Sequence, residues 1–134
     1  MKHVTFELPK DDYIIADPCH VLADDVYSEI IDLYFNVYGS ASKGGFLNYK
    51  GNYLVLFTTH HGGGRHMTNV STEVLVDSSL ICAIPKSLCD ETHLSVNGSQ
   101  FIKVYSSITA SSDGKTLSFN QIKIYTDGLF RSRR

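Results

Sequence analysis

Five apolar side chains recur every three or four residues in one stretch of the chain, whereas the other apolar residues come in short runs. The recurring residues are Val26, Ile30, Leu33, Tyr34 and Val37. This spacing is typical of an amphipathic helix that packs one face on a core. Asp24 or Asp25 suits the N-cap or first turn, because a carboxylate there accepts unpaired amides and complements the helix dipole. The pattern predicts one main helix over Asp24–Tyr38.

The remaining apolar runs are short, rich in β-branched and aromatic residues and separated by turn residues, which predicts strands. The expected strands are 3–8, 13–16, 46–49, 53–59, 72–76, 80–84, 101–108 and 117–126, with 53–59 central in its sheet. Turns at 50–52 and 111–114 would close two hairpins, and 85–90 suits a single helical turn that begins with Pro85. The expected fold class is α+β, with a mainly antiparallel, bent sheet or small β-barrel and one amphipathic helix packed on it.

Composition limits the class of protein more than it limits the function. The chain has 134 residues with ordinary apolar content, which suits a single globular domain over 1–128 followed by a basic tail over 129–134. A net charge of −2 gives no overall field that would attract nucleic acid. Three cysteines without a CxxC pair argue against a disulfide framework and suit a reducing cytoplasm. We find no apolar run that suits a signal peptide or a membrane span.

The most unusual stretch covers residues 58–67 and reads Thr-Thr-His-His-Gly-Gly-Gly-Arg-His-Met. Glycines let a ligand approach the main chain closely, and successive amides in such a turn can form a nest for an anion. Arg65 adds a planar, permanently charged donor group, and histidine changes its protonation near neutral pH. The pattern indicates a site for phosphate or carboxylate, with one of the many aromatic side chains stacking on a ring of the ligand.

Two parts of the sequence resemble small proteins that are frequent in tailed-phage and bacterial genomes. The opening Tyr-Ile-Ile-Ala-Asp-Pro-Cys-His-Val-Leu at 13–22 matches their strand followed by Asp-Pro-Cys-Tyr or Asp-Pro-Cys-His. Their later Thr, Gly-Asp-Gly turn and Val-Asp-Ser-Gly or Val-Asp-Ala-Gly segment corresponds here to 58–64 and 76–79, with Gly63 in place of the aspartate and Ser79 in place of the last glycine. The match spans about residues 13–85. The resemblance implies a viral accessory protein in the host cytoplasm and implies no activity.

Metal binding and acyl transfer are the first two alternatives to anion binding. Residues with suitable metal-ligand types are Asp17, Cys19, His20, His60, His61 and His66. Glycines between the outer histidines disfavour the helix that a zincin motif needs, so we expect no metal and no cofactor. The run His-Gly-Gly-Gly at 61–64 copies an oxyanion motif of some esterases, but the chain has no Gly-x-Ser-x-Gly elbow.

A third alternative is phosphodiester cleavage by two histidines. His66 with Thr68, and His93 with Ser95, each form a His-x-Thr/Ser pair. Two such pairs on neighbouring strands could act as general acid and base on a cyclic nucleotide or RNA-like phosphate. A fourth alternative is an inhibitor that binds a host protein directly through an apolar surface, which would carry no chemical motif.

Polar residues also gather where two other apolar runs end, at 17–20 and 77–78, so we expect these loops to lie beside the 59–66 loop. The expected ligand-binding residues are Asp17, His20, Thr59, His60, His61, Gly62, Gly63, Gly64, Arg65, His66, Asp77 and Ser78. The expected function is capture, without turnover, of a small anionic host ligand such as a nucleotide-derived immune signal. The expected partner is that ligand or a host defence protein, with no membrane and no nucleic acid. The sequence leaves open whether the protein forms a homo-oligomer.

Overall fold

Strand exceeds helix in this protein, which confirms the predicted α+β class with a bent, mainly antiparallel sheet. The computed structural model describes residues 4–39, 42–59, 63–90, 100–120 and 122–126. The strands are β1 (Val4–Leu8), β2 (Asp11–Ala16), β3 (Gly44–Tyr49), β4 (Asn52–Thr58), β5 (Gly64–Met67), β6 (Glu73–Val76), β7 (Leu80–Pro85), β8 (Gln100–Val104), β9 (Ile108–Ser112), β10 (Thr116–Phe119) and β11 (Ile122–Tyr125). The helices are α1 (Pro18–Val21) and α2 (Asp24–Tyr38), and Lys86–Leu88 forms a single 3₁₀ turn.

The strands form three antiparallel groups that enclose two apolar layers. A five-stranded sheet has the order β3-β4-β7-β2-β8, a four-stranded sheet has the order β1-β9-β10-β11, and β5 pairs with β6 alone. Successive side chains on β4 point to opposite faces. Val55 and Phe57 therefore join the core shared with the four-stranded sheet, whereas Leu54 and Leu56 join the core beneath α2. Burial on both faces explains the uninterrupted apolar run of this strand.

The main helix has the predicted bounds, although its N-cap differs from the prediction. Ala23 occupies the N-cap and makes no side-chain cap bond, while Asp24 and Asp25 lie in the first turn. The apolar stripe is wider than the face that packs on the sheet, because Tyr34 is fully buried but Val37 is 60% exposed. The C-terminal end is fixed on β3, where the Tyr38 hydroxyl donates to the Phe46 carbonyl at 2.7 Å and accepts its amide at 3.0 Å.

Several strand predictions were wrong in detail. The expected strand 101–108 is two strands, because β8 ends at Val104 and pairs with β2, whereas β9 begins at Ile108 in the other sheet. The expected strand 117–126 is divided by a turn at Asn120, whose φ of 58° takes the chain out of the extended region. The strand predicted at 53–59 is interior, but the middle strand of its sheet is β7. Gly64–Met67, expected as loop, forms a strand.

Three other predictions concern a turn, membrane spans and the C-terminal tail. The predicted turn between β3 and β4 is present, with positive φ at Lys50 and Gly51. None of the helices in the described ranges has the length and apolar character needed to cross a membrane. The basic tail predicted at 129–134 lies outside the described residues.

Candidate functional site

The buried carboxylate of Asp17 joins two loops that are distant in sequence. Asp17 follows β2 as the N-cap of α1, with Pro18 at the first helical position, and its Oδ1 accepts the Cys19 amide at 2.9 Å. Its Oδ2 accepts the amides of Asp77 at 2.6 Å and Ser78 at 2.7 Å. The Ser78 hydroxyl donates to Oδ1 at 2.7 Å. The structure thus places 17–20 against 77–78, two of the three segments that the sequence predicted to share one cleft with 59–66.

The hydrogen bonds of Asp17 fix its charge state as well as its position. Burial alone would raise the pKa of this carboxyl, but the bonds from Ser78, Cys19 and Asp77 favour the anion, and the net pKa is lowered. Each carboxylate oxygen already accepts two donors, which fills its lone-pair directions. Asp17 therefore acts as an ionised clamp between the loops and has little capacity left for a ligand.

The second contact between these loops is an exposed ion pair or hydrogen bond. His20 Nε2 lies 2.6 Å from Asp77 Oδ2, and the two side chains are 19% and 78% exposed. His20 is in the last turn of α1, so this contact depends on the same clamp at Asp17. The Asp77 carboxylate reaches solvent and is available to a ligand, whereas the imidazole is largely covered.

Asp17, Cys19 and His20 are the described residues whose donor atoms come close enough to suggest a metal, because these atoms all lie within 4.8 Å of one another. Two features of the cluster oppose that use. The Asp17 oxygens would have to give up existing hydrogen bonds. Burial, followed by the bond to Asp17, raises the pKa of the Cys19 thiol to about 12, whereas a metal binds the thiolate. The donor set is thus built for a neutral thiol beside a clamped carboxylate.

Both ends of the glycine-rich loop are held by the turn that contains Asp77. The Thr59 amide donates to the Ser79 carbonyl at 3.0 Å. At the other end, a Cβ added to Gly63 would lie 2.8 Å from the Val76 carbonyl oxygen, so a side chain does not fit. This close approach explains locally why position 63 is a glycine. His60, His61 and Gly62 lie outside the described residues.

Arg65 and His66 point to opposite sides of β5, as neighbours on a strand must. The Arg65 guanidinium is 61% exposed and lies 3.5 Å from the Glu73 carboxylate on β6. His66 is fully buried, as is nearly all of Thr68, whose hydroxyl bonds to the Thr72 hydroxyl at 2.7 Å. His66 was expected among the ligand-binding residues, but solvent does not reach its side chain. His93 and Ser95, the other pair expected for an enzyme, lie outside the described residues.

A small polar cavity adjoins the first end of the loop, and sequence reasoning did not identify most of its residues. It has a volume of about 100 Å³ and is lined by Lys43, Thr58, Thr59, Ser112 and Gly114. Thr59 was an expected site residue, whereas the lysine, the serine and the second glycine come from segments distant in sequence. They meet because the start of β3, the end of β4 and the β9–β10 turn lie together. No local sequence pattern predicts that meeting.

Comparison of the chain with protein-family models, with curated proteins and with solved structures finds no match.

Proposed function

We propose that this protein binds a small anionic ligand, a nucleotide-derived signal of host defence, and holds it without cleaving it. The observation that carries this proposal is the exposed Arg65, which directly follows the glycines. Thr59 before the glycines is hydrogen-bonded to Ser79, and Gly64 pairs with Val76. The phage and host-defence part of the proposal rests on the sequence resemblance.

Arg65 can be released to a ligand at small cost. Its partner Glu73 is 3.5 Å away and the guanidinium is 61% exposed, so the pair belongs to the class of surface salt bridges. Such pairs contribute at most about 1 kcal/mol. A charge-assisted hydrogen bond to phosphate contributes roughly 1.5–3 kcal/mol, and an arginine can form two. Exchange of the carboxylate for a phosphate is therefore favourable.

The described side chains favour binding over catalysis. The Cys19 thiol stays protonated because its pKa is raised to about 12. The Ser78 hydroxyl donates to Asp17, and the Thr68 hydroxyl bonds to Thr72. His66, the general base of the phosphodiesterase alternative, is fully buried. These four groups thus have a structural role, lack access to a substrate or stay protonated.

The proposal is tested by calorimetric titration with a panel of linear and cyclic nucleotides, using Arg65→Ala and a matched control. Removing the guanidinium should weaken binding by roughly 10- to 150-fold, the equivalent of one charge-assisted bond. Lys50→Ala removes the same charge from another surface pair, in which Nζ lies 3.8 Å from Glu29, and should leave affinity unchanged. Equal loss in both variants, or no loss in Arg65→Ala, would contradict the proposed site. Recovery of cleaved nucleotide would support the phosphodiesterase instead.

Direct inhibition of a host protein is the second candidate, because α2 exposes apolar side chains. Leu33, Phe35 and Val37 are 36%, 41% and 60% exposed, respectively. Leu33 and Val37 lie one turn apart on the same side of α2, and a contiguous exposed apolar patch is typical of a surface that binds a partner. If no nucleotide in the panel binds, this candidate replaces ligand capture, and charge-neutral polar substitutions on α2 become the next test.

A further inference from the structure

The cavity beside Thr59 combines a positive charge with several hydroxyl groups in a confined space. Lys43 is an exposed residue of the lining, so its flexible side chain can bring an ammonium group to the cavity, and the hydroxyls belong to Thr58, Thr59 and Ser112. Thr59 and Ser112 are only 9% and 4% exposed, so their polar atoms line an inner wall of the cavity. Buried polar groups around a cavity favour a polar occupant, because an apolar one would leave them unsatisfied.

Both threonine hydroxyls make long hydrogen bonds to backbone carbonyls. Thr58 Oγ1 donates to the Lys43 and Ser42 carbonyls at 3.2 and 3.4 Å, and Thr59 Oγ1 donates to the Ser79 carbonyl at 3.4 Å. Ordinary O–H···O bonds measure about 2.5–3.0 Å, so these bonds are weak and can be exchanged for shorter bonds to an anion. Ser112 Oγ accepts the Gly114 amide at 3.2 Å, which leaves its own proton to donate.

No carboxylate is among the described side chains that line this cavity. Asp113 lies between Ser112 and Gly114 in sequence, but its Oδ1 accepts the amides of Lys115 and Thr116, each at 2.8 Å. Asp113 lines a separate depression on the outer face of the four-stranded sheet. Lys43 is therefore the charged residue among the described lining residues, and an anion is the complementary occupant.

The volume restricts which part of a ligand can enter. About 100 Å³ equals roughly three water molecules and is well below the roughly 300 Å³ at which small-molecule pockets begin. A tetrahedral phosphate group fits this volume, and a whole nucleotide does not. A terminal phosphate has one ester substituent, which can extend out of the cavity through its mouth. An internal diester phosphate carries two substituents and therefore fits less well.

We infer that this cavity is a subsite for a terminal phosphate group, with Lys43 as its charged contact and the three hydroxyls as further donors. This inference rests on the proposed capture of an anionic ligand and specifies its chemistry as a phosphomonoester. The lysine acts as a point charge on the phosphate, and the threonine and serine hydroxyls orient the oxygens.

The test measures binding of inorganic phosphate, methyl phosphate and dimethyl phosphate by phosphorus NMR titration of the whole protein. Phosphate and methyl phosphate should bind, and dimethyl phosphate should bind at least about tenfold more weakly, because it carries less charge and a second substituent. Lys43→Gln should weaken methyl phosphate binding by at least about tenfold. Lys50→Gln, a matched loss of charge on the surface, should change it less than about twofold. Ser112→Ala provides a second variant that keeps the charge and removes a donor.

The outcomes separate this inference from the proposed function. Equal binding of dimethyl phosphate, or equal effects of Lys43→Gln and Lys50→Gln, would overturn the terminal-phosphate subsite. If no phosphate probe binds, the subsite is also overturned. In either case, nucleotide binding that depends on Arg65 would still support the proposed capture function. If nucleotide binding is absent too, both the subsite and the capture function are rejected.

Discussion

Replacing Asp17 by asparagine tests whether the buried carboxylate holds the two loops together. Asparagine has nearly the same shape, but it offers one oxygen where the carboxylate offers two. Four donors converge on Asp17, at 2.6 to 2.9 Å. The substitution leaves two of them facing an amide nitrogen. Each lost bond to a charged acceptor costs about 1.5–3 kcal/mol. Relief of the cost of charge burial offsets part of this sum, so we expect a net loss of about 2–4 kcal/mol.

Urea denaturation followed by circular dichroism measures this loss directly. With a slope of about 1–3 kcal/mol per molar urea, the midpoint should fall by roughly 1–2 M. Asp32→Asn on the exposed side of α2 is the control and should change the free energy of unfolding by less than about 0.5 kcal/mol. An Asp17→Asn midpoint equal to that of the unmodified protein would refute the clamp.

The pH dependence gives the same prediction a second test. Because the pKa of Asp17 is lowered in the folded protein, its ionised form stabilises the fold. That contribution is complete above the unfolded pKa of about 3.9 and is lost as the pH falls through the folded pKa. The stability difference between the unmodified protein and Asp17→Asn should therefore narrow below about pH 4. A difference that stays constant from neutral pH to strong acid would contradict the lowered pKa.

Two further predictions concern neighbouring positions. At pH 8, Cys19 should react with iodoacetamide far more slowly in the folded protein than in the unfolded protein, because the pKa of its thiol is raised to about 12 in the fold. Fast alkylation of Cys19 in the folded protein would contradict this raised pKa. Gly63→Ala should destabilise the protein by about 1–3 kcal/mol, because the added Cβ would lie 2.8 Å from the Val76 carbonyl oxygen. Thermal unfolding measures this loss, and an unchanged melting temperature would show that this end of the loop is not tightly packed.

The sequence allowed prediction of features that depend on local periodicity. The bounds of α2 follow from a repeat of three to four residues, and the β3–β4 hairpin follows from two short apolar runs joined by turn residues at 50–52. The crossing of the chain between sheets at 105–107 could not be predicted, because no glycine or proline marks it. β5 was missed because its glycine and histidine are typical of loops, and pairing with β6 overrides that preference.

The candidate site likewise has some features that the sequence predicts and others that it does not. Asp17 and the Asp77–Ser78 turn were expected in the same cleft because polar residues follow an apolar run at each, and they meet through three hydrogen bonds. Lys43 and Ser112 could not be expected beside Thr59, because only the packing of the two sheets brings them there. Likewise, His66 is buried because its side of β5 meets the core. The sequence predicted a loop at this position, and a loop has no regular alternation of side-chain directions from which burial could be predicted.

Mass spectrometry of small molecules released by heat from protein purified out of phage-infected cells tests the capture of an anionic ligand most directly. The proposal predicts one phosphate-bearing nucleotide, intact and in near-stoichiometric amount, which is lost from Arg65→Ala and retained by Lys50→Ala. Release of a cleaved nucleotide, or of no anionic compound from any sample, would contradict it.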